Sequence, residues 1–241
     1  MRADGWRRYG AFAPYAPPRG AMSLRSIRRG FILKIAYIFD QILPYSEADV
    51  EQVVNSVSAL SKLPDVEITF FLPASNVRTN TSAEEIRAYF HVDGPFSVEM
   101  YHSVFPGPRL LEKVAHPLVC ARHARVLRTF DLVYCRNIPA VLAALAVRVP
   151  VVLDTYRLWT EQYPPLRLVF RAFFRDPCFL GMTLHSEYAR RSYVGLGVDE
   201  SKTCTAHNGY DRAHYLPVLT KAEARARLGL PADAKVAVYS G

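Results

Sequence analysis

The amino-acid sequence predicts an α/β protein built on a doubly wound, Rossmann-like parallel sheet. Short and almost continuous apolar runs recur along the chain, as in strands that are buried on both faces of a sheet. Between these runs lie segments whose apolar residues recur three and four positions apart, the spacing of helices that cover a sheet. Strands that alternate with helices favour a parallel sheet. With 241 residues, 50% of them hydrophobic, the chain is long enough to bury such a core.

The first strand and the first helix show both patterns clearly. Residues 31–39 read FILKIAYIF and are predicted to form a buried strand. Residues 48–63 are predicted to form a helix, because Val50, Val53 and Val57 share one of its faces. The remaining predicted strands are residues 66–72, 96–101, 131–135, 150–154 and 179–184, and the remaining predicted helices are residues 82–90, 109–129, 138–148, 166–175, 186–195 and 221–228.

Three stretches of the chain are expected to behave as separate parts. Residues 1–30 hold seven arginines, one acid and no periodicity, so they are predicted to form a disordered basic tail. Residues 31–217 are predicted to form the Rossmann-like domain. Residues 218–241 are predicted to be a linker and the first strand of a second domain, at residues 235–240 (KVAVYS). Because a strand without a sheet is not a folded domain, we expect the chain to be truncated here.

The net charge of +8 comes mostly from the tail. Outside it the charges nearly balance, and the positive excess lies in residues 107–175. This distribution favours an anionic acceptor or membrane surface over nucleic acid, which requires a basic face with exposed aromatic side chains. In this segment Arg167, Arg171 and Arg175 recur every four residues. They fit either a helix that lies on an anionic membrane or the solvated edge of an ordinary helix.

Several kinds of site are excluded by the absence of their motifs. The sequence contains neither GxGxxG nor GxxxxGK[ST], so a dinucleotide fingerprint and a P-loop are both missing. Its four cysteines and seven histidines show no metal-binding spacing, and neither a metal nor another cofactor is expected. No apolar run approaches the length of a membrane span. The four cysteines are widely spaced and a chain of this size needs no disulfides, which favours a reduced, cytoplasmic setting. Cys135, inside a predicted strand, is expected to be a core residue.

Candidate ligand-binding residues lie at the carboxyl ends of the predicted strands or directly after them, where ligands bind in open α/β sheets. Arg136, followed by Asn137, either binds a phosphate or carboxylate of an acceptor or pairs with a neighbouring acid. Asp154 either orients Tyr156 or a sugar hydroxyl, or caps the next helix.

The loop after the first strand contains a further candidate, Tyr45-Ser46-Glu47. Ser46 either caps the following helix, with Asp49 three residues on, or helps to hold an anion or a sugar at the N-terminus of that helix.

Five segments, taken in chain order, carry a resemblance to a known family. They are KIAYIFDQILPYSEADVEQVVNSVSALSKLPDVEITFFLP, DLVYCRN, VPVVLDTYRLW, LHSEYARRSYVGLGVDESKTCTAHNGYDRAHYLP and ARARLGLPADAKVAVYSG, of which the fourth is the most specific. In this order they resemble the N-terminal domain of a family 4 glycosyltransferase with the GT-B fold, ending at the start of the C-terminal domain.

The resemblance implies retaining transfer of a sugar from a nucleotide-sugar to a glycan, a lipid-linked sugar or a similar acceptor. It also implies that this chain holds mainly the acceptor-binding half, because the family binds its donor on the second domain, and that the chain alone is inactive or weakly active. The catalytic residues it implies are Tyr156 and Asp154, and the substrate-binding residues are Tyr45, Ser46, Glu47, Arg136, Asn137, Ser186, Asn208 and Gly209.

Two positions depart from the pattern of the family. Tyr45-Ser46-Glu47 stands where members often have a glycine pair, and Tyr156 stands where they often carry a histidine that contacts the transferred sugar. These departures keep a second function open, that of a non-catalytic or degenerate Rossmann-like binding module.

Overall fold

The computed structural model describes residues 32–45, 47–74, 80–102, 109–209 and 216–237, with only the backbone for residues 109–112. Within these residues the chain forms one sheet of seven parallel strands with helices on both sides. The strands are β1 (Leu33–Ile38), β2 (Val66–Ala74), β3 (Ser97–His102), β4 (Leu132–Cys135), β5 (Val151–Thr155), β6 (Phe179–Leu184) and β7 (Thr203–Thr205). The helices are α1 (Ala48–Ser61), α2 (Ala83–Phe90), α3 (Arg109–Arg122), α4 (Ala124–Leu127), α5 (Ile138–Ala146), α6 (Trp159–Gln162), α7 (Leu166–Arg175), α8 (Glu187–Gly195) and α9 (Lys221–Leu228).

The strand order is β3-β2-β1-β4-β5-β6-β7, and every neighbouring pair is parallel. The predicted α/β doubly wound sheet is therefore confirmed. The chain first builds outward from β1 to β3 and then returns to place β4 on the other side of β1. The order thus reverses between β1 and β4, and the loops that leave these two strands diverge at their carboxyl ends. Such a divergence opens a crevice at that edge of the sheet.

Two hydrophobic clusters fill the two faces of the sheet. Because successive side chains of a strand point to opposite faces, Ile35 and Tyr37 pack beside α1 and α2, whereas Ala36 and Ile38 pack into the cluster that α5, α7 and α8 cover. Cys135 belongs to this second cluster and is fully buried, as expected for a core residue. Burial raises the pKa of its thiol well above the ordinary value, so it is not a nucleophile at neutral pH.

Polar caps set the starts of three helices that follow strands or loops. The side chains of Ser82, Asn137 and Ser186 each accept a hydrogen bond from the backbone N–H three residues on, at 3.1, 2.8 and 3.1 Å. At α1 the N-cap is Glu47, whose side chain makes no cap bond. The expected cap at Ser46 is thus displaced by one residue, and Ser46 itself lies outside the described residues.

The predicted helix over residues 109–129 is wrong at one point. The backbone of His123, with φ −85° and ψ 37°, leaves the helical region and divides the segment into α3 and α4. Three short elements lack a prediction, namely α6, the 3-10 turn Glu200–Lys202 and the three-residue β7. Each is too short to show a period in the sequence.

The chain divides into two compact units, the first ending at His207 and the second beginning at Asn208. In the second unit a capping box starts α9: the Thr220 hydroxyl accepts from the Glu223 N–H at 3.3 Å, and the Glu223 carboxylate accepts from the Thr220 N–H at 2.7 Å. Gly229, with φ 65°, ends it in the left-handed conformation. Residues 235–237 of the predicted last strand form neither helix nor strand, and the rest of that segment lies outside the described residues.

Candidate functional site

A cavity of about 300 Å³ opens at the carboxyl ends of β1, β4 and β5, where the strand order reverses. It is the position at which open α/β sheets bind their ligands. The residues of its wall come from the ends of these strands, from the loops that follow them, and from α1, α3, α5 and α6. The lining residues are Phe39, Asp40, Gln41, Asp49, Lys113, Val114, Arg136, Asn137, Ile138, Pro139, Asp154, Thr155, Tyr156, Arg157 and Trp159.

The buried part of the wall is organised around the carboxylate of Asp154, near the end of β5. One carboxylate oxygen accepts hydrogen bonds from the Thr183 hydroxyl at 2.9 Å and from Nε2 of His185 at 3.1 Å. The other lies 3.4 Å from Nε of Arg136. The side chains of Asp154 and Arg136 are each 11% exposed and that of His185 is 12% exposed. A carboxylate this deep requires such partners, because burying an unpaired charge is costly.

Arg136, after β4, is fully engaged by its surroundings. Besides Asp154, its guanidinium donates to the backbone carbonyl of Asp49 at 3.2 Å and to the side-chain carbonyl of Gln52 at 3.3 Å. The amide nitrogen of Gln52 lies 3.4 Å from Nδ1 of His185, which leaves Nε2–H of that ring to donate to Asp154. These bonds tie α1 to the ends of β4, β5 and β6, and they favour the paired-arginine interpretation of Arg136.

Two tyrosines of the sheet lie near Asp154, and one of them, Tyr134, joins its hydrogen-bond network. The Tyr134 hydroxyl lies 2.8 Å from that of Thr183, which in turn donates to Asp154. Tyr37 is fully buried, and its hydroxyl has no hydrogen-bond partner among the described residues. Burial, reinforced by the nearby Asp154 carboxylate, raises the pKa of both hydroxyls well above the ordinary value. Both tyrosines therefore remain protonated at neutral pH, and Tyr134 supports the Asp154 network through the Thr183 hydroxyl.

The exposed rim of the cavity is built from the loop between β5 and α6. Tyr156 is 46% exposed, and its ring lies 5.8 Å from the ring of His185. The guanidinium carbon of Arg157 lies 5.4 Å from the Tyr156 ring and 5.2 Å from the Trp159 ring, and its Nε donates to the Tyr156 hydroxyl at 3.1 Å. Arg157 is thus held between two aromatic faces.

Buried groups fix the backbone of this loop. The hydroxyl of Tyr193, a buried residue of α8, donates to the Arg157 carbonyl at 2.9 Å and accepts from the Trp159 N–H at 3.2 Å. The Arg157 N–H donates to the Thr155 hydroxyl at 3.1 Å. The rim side chains therefore project from a backbone that is already set before a ligand binds.

The residues proposed from the sequence fall into three groups. Asp154, Tyr156, Arg136 and Asn137 lie together on the cavity wall. Tyr45 packs against the cluster beside α1, while Glu47 and Ser186 are helix N-caps, and none of these three lines the cavity. Asn208 and Gly209 begin the second compact unit, and Ser46 lies outside the described residues.

Several residues of the site escape the sequence-based selection, among them the four charged or titratable side chains of His185, Arg157, Lys113 and Asp40. His185 follows β6 directly, as Arg136 follows β4, so its place after a strand was a usable signal. Asp40 and Arg157 likewise come two residues after β1 and β5. Lys113 lies on α3, where the sequence offers no comparable signal. Among the described residues no group of three His, Cys, Asp or Glu side chains gathers as a metal site.

Comparison with known proteins identifies the fold but no family. No family model matches the sequence, and no curated protein matches it. Among solved structures, HepE from Anabaena in complex with UDP is 18% identical with a TM-score of 0.53, and HepE in complex with UDP and glucose is 17% identical with a TM-score of 0.52. Each match covers 82% of this chain and 50% of the HepE chain, so this chain spans half the length of these proteins. At these identities the likeness establishes the Rossmann-like fold.

Proposed function

We propose that the chain is the acceptor-binding half of a retaining, family 4-type glycosyltransferase, which moves a sugar from a nucleotide-sugar to a glycan, a lipid-linked sugar or a similar acceptor. The observation that supports this most directly is the cavity at the switch point, where carboxylates, cations and aromatic rings share one wall. Such a mixture suits a ligand with many hydroxyls and a hydrophobic ring face. HepE, which shares the fold, is known in complex with UDP and glucose.

In this proposal the residues of the wall have different roles. Tyr156, at the exposed rim, hydrogen-bonds a sugar hydroxyl through its phenol, and the amide nitrogen of Asn137 donates a second bond, because its oxygen is used by the α5 cap. Asp154 acts as a positioning residue: both its oxygens are bound to Arg136, Thr183 and His185. It holds the strand ends in place rather than contacting the acceptor.

The nucleotide-sugar binds mainly elsewhere in this proposal. A diphosphate leaving group requires several cations or backbone N–H donors around it, whereas the cavity mixes cations with carboxylates in equal number: Lys113, Arg136 and Arg157 with Asp40, Asp49 and Asp154. The GT-B architecture supplies the donor site on a second domain. Neither a metal nor another cofactor is invoked.

The proposal includes a peripheral contact with an anionic membrane at its cytoplasmic face, made by α7. The inner side of α7 is anchored by the buried Phe170 and Phe173, and its outer side presents Arg171, Arg175 and Leu168, which is 73% exposed. Neither of these two arginines has an ion pair within the described chain. Exposed arginines beside an exposed leucine are complementary to anionic headgroups. None of the described helices is long and apolar enough to cross a bilayer.

The test is a transfer assay on the product of the longest open reading frame that contains these 241 residues. It is incubated with UDP- and GDP-sugars and a panel of glycan and lipid-linked acceptors, and release of the nucleotide is measured. We expect acceptor-dependent release with at least one donor, and a loss of about tenfold or more in kcat/KM for Tyr156→Ala. Absence of release with every donor would contradict the enzyme function.

The rival function, a binding module without catalysis, gives a different pattern in the same experiment. It predicts saturable carbohydrate binding by the complete product, sensitive to Tyr156→Ala, with no release of nucleotide from any donor. The matched control is Tyr188→Ala, since Tyr188 is an exposed tyrosine of α8 that does not line the cavity. It is expected to leave both binding and turnover unchanged.

A further inference from the structure

The cavity contains two arginines that follow neighbouring strands, but only one of them is neutralised. Arg136 pairs with Asp154 and donates to two further groups. Arg157 has no carboxylate within 4.0 Å among the described residues, and the same holds for Lys113, the other exposed cation of the wall. Within the described residues, two cations of the cavity therefore carry no ion pair, and they are the candidates for binding an anion.

The charge of Arg157 is prepared for a ligand by its surroundings. The Tyr156 and Trp159 rings lie within 5.4 Å of its guanidinium carbon, and only Nε is used, by the Tyr156 hydroxyl. Aromatic contacts reduce the hydration of a guanidinium and restrict its orientation. The two terminal nitrogens remain available as a fork, the geometry that suits phosphate and carboxylate. Because Tyr193 and Thr155 fix the backbone, little conformational entropy is lost on binding.

The carboxylates of the β1 side and Arg157 lie at different parts of the cavity wall. Asp40 and Asp49 belong to the β1 and α1 side, whereas Arg157 follows β5, and β4 lies between these strands. Two strand spacings place the ends of β1 and β5 about 10 Å apart. Carboxylates accept hydrogen bonds from sugar hydroxyls, and a free guanidinium attracts an anion. A ligand that fits both ends has a hydroxyl-rich ring at one side and a negative group at the other.

We propose that the acceptor is an acidic saccharide, carrying a phosphate or a carboxylate, and that Arg157 is the residue that recognises its anionic group. This inference rests on the proposed function, since it names the chemical class of the acceptor in the same cavity. It also transfers the anion-binding role, which the sequence had offered for Arg136, to Arg157. In this inference Arg157 contacts the ligand, and Arg136 stabilises the site.

The test compares matched neutral and acidic sugars on the isotope-labelled chain by NMR titration. The probes are glucose, glucose 6-phosphate, glucuronate and inorganic phosphate. We expect at least one acidic sugar to bind about tenfold more tightly than glucose, which corresponds to one charge-assisted hydrogen-bonded contact. The sugar with the larger preference identifies the anionic group as phosphate or carboxylate.

Two variants of Arg157 and one control separate recognition from folding. Arg157→Gln is expected to bring the preference for the acidic sugar below about threefold, while Arg157→Lys keeps part of it, because lysine retains the charge but not the fork. Arg125→Gln, which removes an exposed arginine of α4 outside the cavity, should leave the preference unchanged.

The other outcomes contradict the inference in distinguishable ways. If glucose and the acidic sugars bind equally, or if the preference survives in Arg157→Gln, the anionic acceptor is wrong while carbohydrate binding stands. If inorganic phosphate binds as tightly as glucose 6-phosphate, the site is a simple anion site and the inference fails. If none of the sugars binds, the acceptor-binding function fails as well.

Discussion

Arg136 and Arg157 follow neighbouring strands and line the same cavity, yet their surroundings assign them opposite tasks. Arg136 is almost buried, and its guanidinium is used by Asp154, Asp49 and Gln52. Arg157 is exposed, lies between two aromatic rings and has no acidic partner among the described residues. The comparison teaches that a position after a strand brings a residue to the site, whereas burial and partners decide whether it stabilises the fold or binds a ligand.

The largest expected effect is on stability, at Arg136. Arg136→Met keeps much of the side-chain volume but leaves Asp154 buried without its cation, so the free energy of unfolding should fall by about 3 to 5 kcal/mol. Arg157→Met removes an exposed charge and should cost less than about 1 kcal/mol. Urea unfolding followed by circular dichroism measures both values. Equal losses for the two variants would remove the distinction between the arginines.

A second buried polar group, His116, should make the stability of the fold depend on pH. His116 on α3 is fully buried with Nε2 3.2 Å from the Phe71 carbonyl, and desolvation lowers its pKa to about 4. In the unfolded chain its pKa is about 6.5, so the unfolded state takes up the proton first as the pH falls. Stability that is present above pH 6.5 should therefore be lost between pH 6.5 and 4, by about 3 kcal/mol at most.

The measurement is the free energy of unfolding at several values of pH in the wild type and in His116→Gln. The variant should lack this acid-dependent loss, because glutamine does not titrate. His102→Gln, which changes an exposed histidine, serves as the control and should follow the wild type. An unchanged slope between pH 6.5 and 4 in His116→Gln would show that His116 is not the group responsible.

A smaller effect is expected at Tyr193, whose hydroxyl holds the backbone of the loop that carries Arg157. Tyr193→Phe removes the hydroxyl that holds both Arg157 and Trp159 by their backbones. The loss of these hydrogen bonds should lower stability by about 1 kcal/mol. It should also weaken binding of an acidic sugar about threefold, because the loop is then no longer fixed before binding. If affinity is unchanged while stability falls, the preorganised loop has no part in recognition.

The smallest effect on stability is expected at the surface of α7. The double variant Arg171→Gln, Arg175→Gln should partition more weakly onto vesicles that contain anionic phosphatidylserine. The free energy of partitioning should weaken by about 1 kcal/mol for each arginine at low salt. The stability of the chain should not change, since both side chains are exposed. Sedimentation with anionic and neutral vesicles measures the partitioning. Equal binding to both vesicle types would contradict the membrane contact.

Much of the fold could be predicted from the sequence because its signals are local. Runs such as residues 31–39 and the spacing of Val50, Val53 and Val57 reflect burial on a sheet, and they recover the strands and most helices. The break at His123 and the short β7 could not be predicted, since each depends on contacts with distant elements and covers too few residues to show a period.

The site was predictable only in part for a related reason. Position at or just after the end of a strand identified Arg136, Asn137, Asp154 and Tyr156, which all lie on the cavity wall. It could not show that Asp154 pairs with Arg136 and His185, because those partners are 18 and 31 residues away along the chain. Because Asp154 pairs with Arg136, it does not neutralise Arg157. Only the folded structure could show this.

The most direct test of the cavity as a carbohydrate site is the map of backbone amide shifts when the labelled chain is titrated with glucose 6-phosphate. The account predicts that the largest shifts lie in residues 136–138 and 154–159, which surround the cavity, and that Arg157→Gln reduces them. Shifts confined to other surfaces, or none at concentrations where an acidic sugar should saturate the site, would contradict it.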